Sequence, residues 1–226
     1  SLNGPALTIV NACSSGLDAI GTGYYWLKSK VCDIVICGGA DELNIIPLTG
    51  FSVLGLVSKD KCRPFDKNRN GLNLGEGAGI MILESKSLES NEQEIEITSY
   101  SSCADAFHLT APSVDGHGLK KSILKSLIEA DITSDKISFI NAHGTATKDN
   151  DLVEGKVYKE IFGNSVTFLS TKGYTGHTLG AAGALEAIFT VLGLKDGWVP
   201  ASAGFSDFDD NIGISPSNKN TQIQGN

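Results

Sequence analysis

The sequence predicts an α/β protein with a mostly parallel sheet. Two observations carry this: short apolar runs rich in Ile and Val recur along the chain, and stretches of helical periodicity separate them. The predicted strands are Ala6–Asn11, Asp33–Cys37, Gly79–Leu83, Ile95–Ser99, Ile137–Asn141 and Thr167–Ser170. Their near-continuous apolar character suits strands covered on both faces. Helices fit Ser14–Lys28, Gly118–Ala130, Asn150–Ile161 and Ala181–Leu194. In the second of these, Leu119, Ile123, Leu127 and Ala130 form one face and the lysines lie outside it. A polar stretch, Ser85–Glu94, marks a soft boundary between two α/β sets, and the tail from Ser215 is polar, with an end expected to be poorly ordered.

Bulk composition narrows the function classes. The chain has 226 residues, 41% of them hydrophobic, enough for one large domain or two small ones. The formal net charge is −8 and no long basic tract is present, so a nucleic-acid footprint is not expected. No apolar run is long enough to span a bilayer. The five cysteines form no C-x-x-C pair, and the four histidines have no zinc-ligand spacing, so neither a metal site nor a disulfide framework is expected. A reduced, cytoplasmic setting is the better reading.

Glycine clusters in "CGGADE", "GLNLGEGAG", "HGTAT" and "GYTGHTLGAAGALEA", at predicted strand ends, which points to a site assembled from several loops. In "NACSSG" (residues 11–16) an apolar run leads into Cys13 and then a helix, so the thiol sits where free N–H groups and the helix dipole favour a thiolate. A buried structural thiol, with Ser14 or Ser15 as N-cap, fits this motif equally well. In "FINAHGTATKDND" (residues 139–151) a strand ends at His143 beside Gly144, Thr145 and Thr147. A satisfied histidine in a tight turn is the stronger reading of that motif by itself. In "LSTKGYTGHTLGAAGALEA" (residues 169–187) Lys172 and His177 flank a glycine-rich turn, and the small residues after them allow a very close packing neighbour. A cysteine and two histidines on three strand ends suit covalent catalysis: a thiolate attacks, imidazoles handle protons and an oxyanion, and a lysine tunes the field.

These blocks, in this order, resemble the three active-site segments of the β-ketoacyl-[acyl-carrier-protein] synthases, most closely those of the synthase II type. "CRPFDKNRNGLNLGEGAGIMILE" (residues 62–84) and "DAFHLTAP" (residues 105–112) resemble further family segments. The resemblance implies the thiolase-like fold, two similar α/β halves in five αβαβα layers. Residues 1–90 would be the rear part of the N-terminal half with the nucleophile. Residues 91–226 would be the C-terminal half with both histidines, ending before its last strands.

Roles follow from the resemblance position by position. Cys13 matches the acyl-accepting nucleophile. His143 and His177 match the pair that promotes malonyl decarboxylation and stabilises the enolate or thioester oxygen. Lys172 matches the active-site lysine and Glu186 the glutamate paired with it. Thr145 and Thr147 match threonines that hydrogen-bond the pantetheine arm, and Phe107 and His108 match residues near the acyl pocket. Arg63 is a lesser candidate for binding the acidic carrier. The implied partners are an acyl carrier protein and a second synthase subunit, identical or related, and no metal or redox cofactor is implied.

The sequence also departs from the family pattern. It begins just before the cysteine block and ends before the Gly-Phe-Gly-Gly-Thr-Asn type loop. The expectation is therefore a fragment, or a chain with its ends absent, which exposes core surface and is inactive at this length; acyl elongation by the purified 226-residue chain is the contrary result. Asp18, Ala146 and Gly173–Tyr174 also depart and suit a specialised pathway such as polyene or polyketide assembly. Three rivals to a synthase are a silent chain-length-factor-like subunit, a coenzyme A-dependent thiolase, and a structural α/β domain. Chain-length factors typically lack the cysteine that Cys13 supplies here. Thiolases use a second cysteine near the C-terminus, and none follows Cys103. A structural domain leaves the three blocks as coincidence.

Overall fold

The computed structural model describes residues 3–85, 95–108 and 110–223. Most of the predicted boundary stretch Ser85–Glu94, and Leu109 of the "DAFHLTAP" segment, lie outside the described residues. So do the last three residues of the tail. No helix among the described residues is long and apolar enough to cross a membrane.

The first structural unit is helix α1 (Ser15–Lys28) followed by strand β1 (Ile34–Asp41), helix α2 (Ile45–Val53) and strand β2 (Gly77–Glu84). Helix α1 has Asp18 in its first turn and Lys28 in its last, the charge order that the helix dipole favours. Its buried residues are Gly16, Ile20, Gly21 and Gly23, a stripe of small side chains that lets the helix lie close on the sheet. Helix α2, not expected from the sequence, starts where the Asn44 side chain accepts from Ile46 N at 3.0 Å. Pro47 is tolerated there because the first turn needs no amide donor.

β1 and β2 pair antiparallel over their whole length, from Ile34 opposite Glu84 to Asp41 opposite Gly77. This corrects the expected mostly parallel sheet: apolar runs report burial and carry no information on strand direction. The two faces also differ. Val35, Cys37, Met81 and Leu83 turn inward, whereas Ile34, Ile36, Ile80 and Ile82 are 59%, 53%, 69% and 70% exposed. The expectation of strands covered on both faces therefore fails for β1 and β2 in this chain, where α1 and α6 (Ala182–Asp196) pack on one face only.

The second unit holds α3 (His117–Ala130), β3 (Ile140–Asn141), α4 (Lys148–Phe162), β4 (Phe168–Leu169), α5 (Lys172–Thr175), α6, β5 (Trp198–Val199) and β6 (Thr221–Gln222). β3 and β4 pair parallel, as expected, and β5 and β6 pair antiparallel, so that part of the polar tail is ordered as a strand. The core is built on Phe65, Ala142, Tyr158, Phe168, Ile212 and Ile214, with the Phe65 and Phe168 rings edge to face at 5.0 Å. The four predicted helices all form, with ends within two residues of expectation.

Two predicted strands do not form. Ala6–Asn11 runs without a ladder partner among the described residues, with Leu7 63% and Val10 89% exposed. In Ile95–Ser99 the chain is likewise unladdered; Tyr24 Oη of α1 donates to Thr98 O, and Tyr25 Oη to Tyr100 O just beyond the segment, each at 2.9 Å.

The units meet where glycine is needed. A Cβ on Gly39 of β1 would stand 2.5 Å from Gly180 O and 3.0 Å from Gly16 Cα. Three backbones thus touch at one point, and α1 can approach β1 and the start of α6 together. Gly39→Ala should cost about 2 kcal/mol of stability, the scale of overpacking in a tight core. The measurement is the urea midpoint, expected to fall with an unchanged m-value.

Candidate active site

Each candidate side chain is delivered by a constrained turn. Cys13 lies in a single 3₁₀ turn, Ala12–Ser14, that runs directly into α1. Ala12 has φ +47°, a left-handed conformation rare outside glycine, and this bend turns Cys13 away from the preceding extended segment. Leu179, two residues after His177, has φ +49°, and Ala146, between the two threonines, has φ +66°. Strained backbone therefore marks all three blocks.

His177 is held through its main chain: its N donates to Asn73 O at 2.7 Å, and its O accepts from Gly75 N at 3.0 Å. Its ring is 1% exposed by residue, with Nδ1 accepting from Leu179 N at 3.1 Å. Because Nδ1 is the acceptor, the ring proton is assigned to Nε2, and Nε2 faces Cys13 Sγ at 3.0 Å. His143 packs edge to face against His177, with ring centres 5.2 Å apart. Its Nδ1 faces the Lys172 ammonium at 3.2 Å, which again leaves Nε2 to carry the proton. Lys172, 2% exposed, also donates to His143 O at 2.6 Å and to Glu186 Oε1.

These contacts set the charges. Burial, with Lys172 as a lesser cause, pushes His177 down to about 3. Burial, Lys172 and His177 hold His143 well below the usual histidine range. Both imidazoles are therefore neutral hydrogen-bond donors at neutral pH. Burial pushes the Cys13 thiol up, against the Lys172 ammonium and its own backbone amide, which pull it down. Desolvation thus outweighs the thiolate-favouring helix start expected from the sequence.

Donor atoms of Cys13, His143 and His177 lie within 4.8 Å of one another, close enough to share a metal ion. The His177 contacts favour proton handling instead. Ligation through Nε2 would move the ring proton to Nδ1, against the Leu179 amide that Nδ1 now accepts.

Two carboxylates that the sequence reading did not assign to the site hold the His143 loop. Glu154 on α4 accepts from His143 N at 2.6 Å, Gly144 N at 2.8 Å and Tyr158 Oη at 2.6 Å. Asp151, also on α4, accepts from Phe65 N at 2.6 Å and from Ala146 N at 3.1 Å. The signal was present as Asp151 and Glu154, three residues apart after Thr147, facing one side of a helix start. Asp41, at the end of β1, accepts from Gly180 N at 2.9 Å and so fixes the turn after His177.

The other predicted residues fall in three places. Thr145 and Thr147 sit together, their hydroxyls 2.8 Å apart, beside His143. Cys13 lines an open cavity of about 640 Å³ with Val10, Gly39, Phe51 and Leu179. Phe107 does not join it: it is 60% exposed and lines a separate cavity of about 580 Å³ with Asp105 and His117. The His108 ring is also used locally, its Nδ1 accepting from Thr110 N and Ala111 N at 3.2 Å each. Arg63 is exposed.

Fold and site together define an α/β protein with a Cys-His-His centre beside a buried lysine. Comparison with known families narrows it. Residues 1–89 match the beta-ketoacyl synthase N-terminal domain and residues 95–206 match the beta-ketoacyl synthase, C-terminal domain. The chain belongs to the β-ketoacyl synthase family and has its thiolase-like fold. It is 35% identical to the 3-oxoacyl-[acyl-carrier-protein] synthase 2 of Vibrio cholerae, over 94% of this chain and 55% of that protein. It is 36% identical to nodulation protein E of Rhizobium meliloti, over 92% of this chain and 53% of that one. Among solved structures, a beta-ketoacyl synthase from Burkholderia phymatum superposes with a TM-score of 0.90 at 30% identity, covering 99% of this chain and 56% of that chain. A ketosynthase in complex with its chain length factor from Xenorhabdus doucetiae gives 0.88 at 34% identity, covering 98% and 55%. The chain spans about half the length of the relatives it matches.

The histidine shift has a consequence for stability. A histidine in an unfolded chain titrates near 6.5, whereas native His177 is held at about 3, so the native state binds fewer protons between those values. The stability that goes with a neutral His177 is complete above about pH 6.5 and is lost as pH falls through this window. Asp151, pushed up to about 7 by burial, acts with the opposite sign, so the useful quantity is a difference. Between about pH 7 and pH 4.5, His177→Asn should lose about 2 kcal/mol less stability than wild type, read from urea midpoints.

Proposed function

We propose that the protein is a condensing enzyme: it joins an acyl group to a malonyl unit on an acyl carrier protein and releases a β-ketoacyl-carrier two carbons longer. One observation carries the reading. The proton on His177 Nε2 points at Cys13 Sγ from 3.0 Å, while Lys172 holds the His143 ring beside it.

In the first half-reaction the Cys13 thiol releases its proton to solvent as its sulfur attacks the acyl thioester carbonyl, which balances the proton taken up by the departing carrier. The tetrahedral oxyanion collapses, the carrier thiolate leaves and takes a proton, and the acyl group stays on Cys13. In the second, malonyl-carrier loses carbon dioxide, and the electron pair of the broken C–C bond forms a thioester enolate. Two neutral imidazoles offer N–H donors to that developing oxygen without a competing positive charge of their own. The enolate carbon then attacks the acyl-Cys13 carbonyl, and the Cys13 sulfur leaves and takes a proton from solvent to restore the thiol. The electron bookkeeping closes with carbon dioxide and the free carrier thiol released and no net oxidation or reduction, so the proposed steps use no redox cofactor and none of them is routed through a metal. Lys172 acts by orientation: its ammonium keeps Nδ1 of His143 unprotonated and pins the residue's carbonyl.

Thr145 and Thr147 suit the pantetheine arm, and exposed Arg63 suits the acidic carrier. Among similar solved structures, one ketosynthase is in complex with its chain length factor and another with an acyl-carrier protein. A carrier protein and a second synthase subunit, identical or related, are proposed here on that support. The five free cysteines suit a reducing cytoplasm.

The test is mass spectrometry of Cys13 in the whole protein after exposure to a panel of acyl-carriers. Acyl mass on Cys13 that is then discharged by malonyl-carrier is the expected result, and Cys13→Ala should abolish both. Condensation by Cys13→Ala would overturn the mechanism. No loading of wild type by any acyl-carrier would favour a silent subunit of the chain-length-factor kind.

A further inference from the structure

The cysteine turn is strained at Ala12, and such a conformation persists only where its surroundings over-determine it. Ser15 Oγ is one support, accepting from Asn11 N at 2.8 Å and donating to Ala12 O at 2.7 Å, and a second set of contacts converges on one carboxylate. Asp18 Oδ2 accepts from Asn11 Nδ2 at 2.5 Å and lies 3.1 Å from Ser14 Oγ, so it grips the chain on both sides of Ala12 and Cys13. Ser14 Oγ is also 2.9 Å from Asn11 O, so one hydroxyl proton serves two acceptors across the turn. The other oxygen, Oδ1, accepts from Tyr100 Oη. Tyr100 comes from the second structural unit. Its ring lies flat on α1, where a Cβ on Gly21 would stand 2.3 Å from a ring atom.

The geometry points to Asp18 as a positioning residue for the reaction proposed above: it holds the Cys13 turn in its strained form and, through Tyr100, fixes that turn relative to the unit that carries His143 and His177. A carboxylate suits these partners best. Asn11 Nδ2 can only donate, and Tyr100 and Ser14 present hydroxyls, so an acceptor with two oxygens satisfies all of them at once. An amide at position 18 would have to aim its NH₂ at one of these partners.

A second attachment lies two turns further along α1. Glu129 of α3 accepts from Lys28 Nζ at 2.8 Å, Tyr24 Oη at 3.2 Å and Tyr25 Oη at 3.0 Å. It fastens the same helix to the same unit without touching the cysteine turn. It therefore separates general loosening of α1 from loss of the turn itself.

The experiment measures, in the whole protein, the rate of Cys13 alkylation by iodoacetamide and the kinetics of acyl loading for wild type, Asp18→Asn, Asp18→Ala, Tyr100→Phe and Glu129→Gln. Asp18→Ala should slow both reactions, by up to about 10²-fold, the cost of a misplacement near 1 Å. Loading should fall in kcat with little change in KM. Tyr100→Phe keeps the ring on Gly21 and should show a smaller loss in the same direction, with Asp18→Asn between the two. Glu129→Gln should lower the thermal midpoint and leave both rates within about twofold, as for a surface pair. Wild-type rates in Asp18→Ala, or equal slowing by Glu129→Gln, would overturn the assignment. If Asp18→Ala does not fold, folded Tyr100→Phe and Asp18→Asn proteins with wild-type rates would overturn it equally. The inference rests on Cys13 as acyl acceptor. If wild type is not loaded, that reading fails by itself, and alkylation rates still decide whether Asp18 positions the thiol.

Discussion

The buried ammonium of Lys172 is the constraint on which the rest of the site depends. A cation that is 2% exposed costs several kcal/mol unless every donor finds an acceptor. Here the acceptors are Glu186, the His143 carbonyl and His143 Nδ1. Glu186 belongs to α6, Lys172 opens α5, and His143 follows β3. Satisfying one charge therefore brings three elements to one point. The same contacts fix the tautomer of His143 and add to the field that keeps both histidines neutral. The interaction that closes the core of the second unit also prepares its chemistry.

Around that charge, the backbone is held in costly conformations that other groups stabilise. Ala12, Ala146 and Leu179 all have positive φ, and each adjoins a candidate functional side chain. Each has its own polar support: Asp18 for the Cys13 turn, Asp151 for the Ala146 amide, and Asp41 for the turn after His177. Carboxylates suit this role because backbone amides and hydroxyls are donors, and a buried donor left unmatched costs about 1–3 kcal/mol. The loops are thus rigid because their amides are individually satisfied. A site that holds Nε2 and Sγ at 3.0 Å from separate structural units needs that rigidity.

Much of this was legible before any fold was known. The helices read correctly because the amphipathic stripes of α1 and α3 follow the helical period, and period is a local property. The glycine clusters marked where backbones touch, as Gly16 and Gly39 do against Gly180. Strand direction was not legible, since β1 and β2 show the same apolar alternation whether they pair parallel or antiparallel. Neither were the fates of Ala6–Asn11 and Ile95–Ser99. A β-rich run becomes a strand only if a partner offers a ladder, and at the end of the second segment tyrosines of α1 bond the carbonyls of Thr98 and of Tyr100 just after it. Phe107 and His108 were placed by resemblance; Phe107 lines a different cavity, and the His108 ring is taken up by the amides of its own turn.

By itself, the sequence determined the chemical inventory: one thiol at a helix start, two histidines at strand ends, a lysine between glycine-rich turns, and the family these blocks define. Residue type and local period are enough for that, because each motif is short and carries its own geometry. Only the tertiary structure decided the state of those groups. Whether Cys13 is a core thiol or faces an imidazole, and whether the histidines carry charge, depend on burial and on partners more than a hundred residues away for Cys13 and 29 residues away for His143. Electrostatics and desolvation act through space, and the distance along the chain does not encode the distance between charges.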